Sequence, residues 1–111
     1  MFDIKKSNKA HIEGDEHFIV VRENTVYLRI VGKEGTYTVM TATAGEDDFV
    51  VNSHFNQDAL IMSAQKVANL INTTANTKFD HNNRCYIEIC SCEFISDAYR
   101  VAELLFKNLG D

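Results

Sequence analysis

Two turn signals divide the first half of the chain into three apolar segments, and this punctuation restricts the fold more than any other feature. His17 to Val21 and Thr25 to Val31 are rich in β-branched and aromatic residues and flank Glu23-Asn24. Such segments read as strands, and a two-residue loop whose Asn can take positive φ suits a tight hairpin. Thr36 to Thr43 makes a third strand after the Gly32-Lys33-Glu34-Gly35 turn. A short fourth, Asp48 to Asn52, follows Ala44-Gly45-Glu46-Asp47, and Cys85 to Cys90 is a fifth. The chain has no proline, so its turns rely on Gly, Asn and Asp.

Between and after these strands the apolar period changes from two to nearly four. Leu60, Ala64, Val67 and Ile71 mark one buried face of a helix over about Gln57 to Asn72. Asn56 is placed to cap it, and Asp58 lies in the first turn, where the helix dipole favours an anion. Ile95, Ala98, Ala102, Leu105 and Leu109 stripe a second helix over about Phe94 to Leu109. Thr73 to Asn83 reads as a polar loop anchored by Phe79, and residues 1–16 as a loose lead-in. The expectation is α+β: a mainly antiparallel sheet of about five strands with two helices packed on one face. At 111 residues the chain forms a single domain, 1–111.

The hairpin loops also imply a register. A two-residue loop pairs Val21 with Val26 and Ile19 with Leu28. A four-residue loop sets Val39 against Leu28 and Tyr37 against Ile30. These side chains would face the helices. The other face would then carry Phe18, Val20, Tyr27, Arg29, Val31, Thr36, Thr38 and Met40. An aromatic and aliphatic surface around one Arg is typical of protein interfaces.

Charge supplies the main functional signal. Met1 to Ala44 holds six acids and six bases, whereas ten acids face five bases from Gly45 onward, so the formal charge of -5 arises there. No base occurs between Lys33 and Lys66, while Glu34, Glu46, Asp47, Asp48 and Asp58 fall in that gap. The resulting potential attracts cationic partners and repels nucleic acid and anionic lipid. Glu46, Asp47 and Asp48 adjoin Phe49, and acids beside an aromatic anchor can dock a basic cleft. Expected partner-binding residues are therefore Glu46, Asp47, Asp48 and Phe49, with Phe18, Tyr27 and Arg29.

Catalytic and metal-binding patterns are weak. His81, Cys85, Cys90 and Cys92 have zinc-binding atoms but lack the tight C-x2-C knuckle. Strand alternation would send Cys85 to the face opposite Cys90. C-S-C differs from the C-x-x-C of thiol oxidoreductases, so three reduced thiols are expected. His11 and His17 lie near Glu13, Asp15 and Glu16 in a segment without a rigid scaffold. No G-x-S-x-G, Walker, H-E-x-x-H or Rossmann glycine pattern occurs. The expectation is a protein without cofactor or catalytic residues. No apolar run approaches the roughly 20 residues of a membrane span, and no secretory signal opens the chain, so a cytoplasmic location is expected.

In its size, acidity and lack of a catalytic motif the chain resembles the immunity proteins that neutralise bacterial toxins, including those of contact-dependent growth inhibition. The resemblance spans the whole chain and carries no residue roles. It implies inhibition of a cognate toxin, commonly a nuclease, by covering a basic active site with acidic surface. The alternatives are a phage-type inhibitor of a host nucleic-acid-binding complex, similar to anti-CRISPR proteins, and a small enzyme or ligand-binding domain using a pocket between helices and sheet.

Overall fold

A computed structural model describes residues 1–7, 14–43 and 56–109. Among the described residues six strands form one antiparallel sheet: β1 (Asp3–Lys6), β2 (Glu16–Arg22), β3 (Thr25–Lys33), β4 (Thr36–Thr41), β5 (Asn76–Phe79) and β6 (Cys85–Cys92). Their order across the sheet is β1-β2-β3-β4-β6-β5. Helices α1 (Gln57–Leu70) and α2 (Ile95–Asn108) pack on the same face, so the expected α+β layering holds, with one strand more than anticipated.

Local chemistry accounts for most boundaries. Glu23 and Asn24 both take positive φ, 52° and 62°, the conformation that matches a two-residue hairpin loop to strand twist. Asn56 caps α1, its side-chain oxygen accepting the Ala59 amide at 3.1 Å. Asn72, at φ 57°, lets the chain turn out of α1, and the Thr73 amide donates to the Ala68 carbonyl at 2.9 Å. In β3, Gly32 adopts φ 145°, and a Cβ there would run into the Thr36 carbonyl oxygen. Only glycine fits that position.

The core lies between sheet and helices. Val20, Leu28, Ile30, Val39, Ile87 and Ile89 meet Leu60, Ala64 and Val67 of α1 and Ala98, Ala102 and Leu105 of α2, all fully buried. The Ser63 hydroxyl donates to the Asn108 carbonyl at 3.4 Å, linking the two helices.

Two expectations require correction. The segment 1–16, read as a lead-in, contains β1, which pairs with β2 from Asp3↔Val21 to Lys6↔Phe18. The segment 73–83, read as a loop, contains β5, paired with β6 from Asn76↔Glu88 to Phe79↔Cys85. Both are four-residue edge strands, too short for alternation to stand out, and β5 is exposed along its whole length. The strand expected at Asp48 to Asn52 lies outside the described residues. Among the described residues no helix is long and apolar enough to cross a membrane.

Candidate partner-binding surfaces

Phe18, Tyr27 and Arg29 do not share a face, because a β-bulge intervenes. Val21 pairs with Val26 as the hairpin requires, but Val20 then pairs with Leu28, leaving Tyr27 as the extra residue on β3. The extra residue reverses the alternation of β2 relative to the simple register. Phe18 and Val20 therefore face the helices, while Ile19 and Val21 join Val26 and Ala42 on the opposite side. A second difference leaves the faces unchanged. The β3–β4 loop is two residues, so Ile30 pairs with Val39 and Leu28 with Thr41, and a shift by two keeps Tyr37 and Val39 under the helices.

The bulge has a packing reason. It turns Tyr27 toward α2, where its ring meets Phe106 edge-on at 5.0 Å. The Arg22 guanidinium lies 4.4 Å from the Phe106 ring centre and 5.2 Å from that of Tyr27, a cation–π arrangement. Phe18 approaches Tyr37 edge-on at 6.1 Å. The Tyr37 hydroxyl donates to Glu16 at 2.9 Å, and Lys6 approaches the other Glu16 oxygen at 3.5 Å, joining β1, β2 and β4. That bond to Glu16, ahead of burial, holds the Tyr37 phenol above its ordinary pKa.

Arg29 sits on the face away from the helices, yet it is only 6% exposed. Its Nη1 lies 2.7 Å from Nε2 of His17, itself buried. A guanidinium can only donate, so Nε2 accepts and His17 is neutral at that nitrogen in this arrangement. Arg29 thus has an internal contact in place of the exposed setting expected from the sequence. Glu46, Asp47, Asp48 and Phe49 lie outside the described residues, as do His11 and Glu13.

A groove of about 730 Å³ opens between β1, β2 and α2. Phe2, Ile4, Phe18, Ile95 and Tyr99 supply its apolar lining, with Lys6, Arg100 and Glu103 as charged neighbours. Phe2 forms one wall, its ring tilted against Tyr99 at 4.8 Å and Phe106 at 5.1 Å. Sequence reasoning missed this site because its floor is β1; the available signal was the apolar pair Phe2 and Ile4 alternating with Asp3 and Lys5.

The cysteines are arranged differently from the simple alternation. β6 carries its own bulge: Val39 pairs with Cys90 but Met40 pairs with Glu88. Ile87 and Ile89 are both fully buried, and Cys90 packs on the same core. Cys85 therefore shares a face with Cys90, and the opposite-face expectation is corrected by the inserted residue. The Ile87 amide donates to the Thr41 hydroxyl at 2.9 Å where the ladder is interrupted. Cys90 and Cys92 sulfurs stand 3.8 Å apart, and all three thiols are free. Their shared hydrogen bond, then burial, pushes the Cys90 thiol up. Among the described residues no three His, Cys, Asp or Glu side chains converge as a metal site.

Comparison of the chain with protein-family models, with curated proteins and with solved structures returned no match.

Proposed function

We propose that this chain is an acidic binding protein that neutralises a cognate protein toxin by covering its basic active site, with a nuclease as the best electrostatic fit. The observation that carries the reading is the charge distribution: the whole excess of acid falls after Gly45, and 32 consecutive residues, 34–65, contain no Lys or Arg. An enzyme acting on nucleic acid needs a cationic cleft, and an acidic surface complements it while being repelled by the nucleic acid itself. Glu46, Asp47 and Asp48 supply the charge and Phe49 the apolar anchor. Phe18 and Tyr27 belong to the helix-covered face; Phe18 contributes to a partner site only through the groove it lines.

The test is functional. The chain is co-expressed with the product of the adjacent gene, the complex is purified, and the nuclease activity of that product is titrated with the free chain. Stoichiometric loss of activity supports the reading. An active product that forms no complex contradicts it.

A second reading rests on the groove beside α2. Its size lies within the range of small-ligand sites, and its aromatic walls favour an apolar ligand. Retention of such a ligand through purification, detected by mass spectrometry of the denatured protein, would favour a ligand-binding domain instead.

A further inference from the structure

β1 is the first strand of the sheet, and among the described residues its outer side pairs with no strand. Edge strands expose unsatisfied backbone groups that invite pairing with another chain. Which groups point outward follows from one bond: the Ser7 amide donates to the His17 carbonyl at 2.8 Å. Backbone direction alternates along a strand, so Lys5, two residues before Ser7, also turns its amide and carbonyl toward β2. Ile4 and Lys6 turn theirs to the open edge, as does Phe2 by the same alternation.

The geometry points to a second copy of this chain as the occupant of that edge, joined through antiparallel β1–β1 pairing about a twofold axis centred on Ile4. Edge-facing groups must meet edge-facing groups, which admits only registers that differ by steps of two residues. With Ile4 opposite Ile4 of the second copy, those two residues exchange a pair of hydrogen bonds. Phe2 and Lys6 do the same with Lys6 and Phe2 of the second copy. Asp3 then stands directly across from Lys5 of the second copy, twice by symmetry.

Asp3 and Lys5 lie on the face away from the helices, both exposed, and no charged side chain among the described residues pairs with either. The neighbouring registers set Lys5 against Lys5, or Asp3 against Asp3, and opposed like charges destabilise a strand pair. Charge thus selects one register. On the other face the half-buried Ile4 side chains meet, and the two grooves lined by Phe2, Ile4 and Tyr99 lie side by side under helices that share one side of a continuous sheet. The contact is isologous, as closed dimers require.

Sedimentation equilibrium over a wide concentration range tests this, using wild-type protein, Asp3→Lys and Lys5→Asp. The wild type should approach twice its 12.6 kDa mass as concentration rises. Each single variant opposes like charges in its own dimer and should associate about tenfold more weakly. An equimolar mixture of the two variants restores both opposite-charge pairs and should dimerise as well as the wild type. Circular dichroism verifies that both variants remain folded, as expected for exposed positions. A wild type that stays at 12.6 kDa throughout overturns the inference. So does a dimer that both single variants retain, or a mixture that fails to recover association.

Discussion

Val20 and Val21 are adjacent, identical in chemistry and on opposite faces of the sheet, and the bulge at Tyr27 decides which of them meets the helices. Replacing each with Thr keeps the shape and exchanges one methyl for a hydroxyl. Val20 is 0% exposed in the core between sheet and helices. The change there loses about 0.8 kcal/mol of methyl burial. It also leaves a hydroxyl without a partner, which costs about 1–3 kcal/mol. A total of about 2 kcal/mol or more corresponds to a fall in Tm of about 8 °C for a domain of this size. Val21 is only half-buried, in the small cluster with Val26 and Ala42, so its variant should lose less than about 0.5 kcal/mol. Urea unfolding followed by far-ultraviolet circular dichroism measures both. A costly Val21→Thr beside a tolerated Val20→Thr would mean that the strand follows the simple hairpin register, and the assignment of faces would fall with it.

Gly32→Ala should destabilise by about 2 kcal/mol, because the new Cβ meets the Thr36 carbonyl oxygen at a φ of 145° that other residues rarely adopt. Thermal unfolding would show it, and an unchanged Tm would refute the close approach. Asp80 provides a pH dependence. Its carboxylate accepts the Arg84 and Asn82 amides at 2.9 Å each, and these bonds, that from Arg84 foremost, hold it below its ordinary pKa. A lowered folded-state pKa stabilises above the unfolded value of about 3.9, and that contribution disappears as pH falls through the folded value. The β5–β6 hairpin should therefore loosen below about pH 4, seen as a lower protection of the Arg84 amide relative to its intrinsic exchange rate, and Asp80→Asn should flatten that dependence.

The helices were legible because each carries its own evidence: a sustained apolar stripe in both and, for α1, the Asn56 cap with Asp58 at the end the dipole favours. The hairpin at Glu23-Asn24 was legible for the same local reason. What could not be read was any feature set by contacts distant in sequence. The bulge at Tyr27 exists because Phe106, some eighty residues away, offers a ring for Tyr27 and Arg22 to pack on. One inserted residue then moved Phe18 and Val20 into the core and separated Phe18 and Tyr27 from Arg29. The bulge in β6 had the opposite effect on Cys85 and Cys90, bringing them onto one face. β1 escaped notice because four residues with two lysines look like a solvated tail until β2 is beside them. The groove was lost with it. Charge, by contrast, is additive along a sequence, and the acidic excess after Gly45 needs no fold to be counted.

The most direct test of the proposed function is the salt dependence of association with the toxin. Wild-type chain and a variant with Glu46→Gln, Asp47→Asn and Asp48→Asn are mixed with the partner in stopped flow at low and physiological ionic strength. Charge at an interface acts mainly through steering, which salt screens. The wild type should associate fast at low salt and slow markedly as salt is added. The variant should associate more slowly, by about tenfold at low salt, with a flatter slope. Equal rates and equal slopes would contradict the account and remove this acidic stretch from the interface.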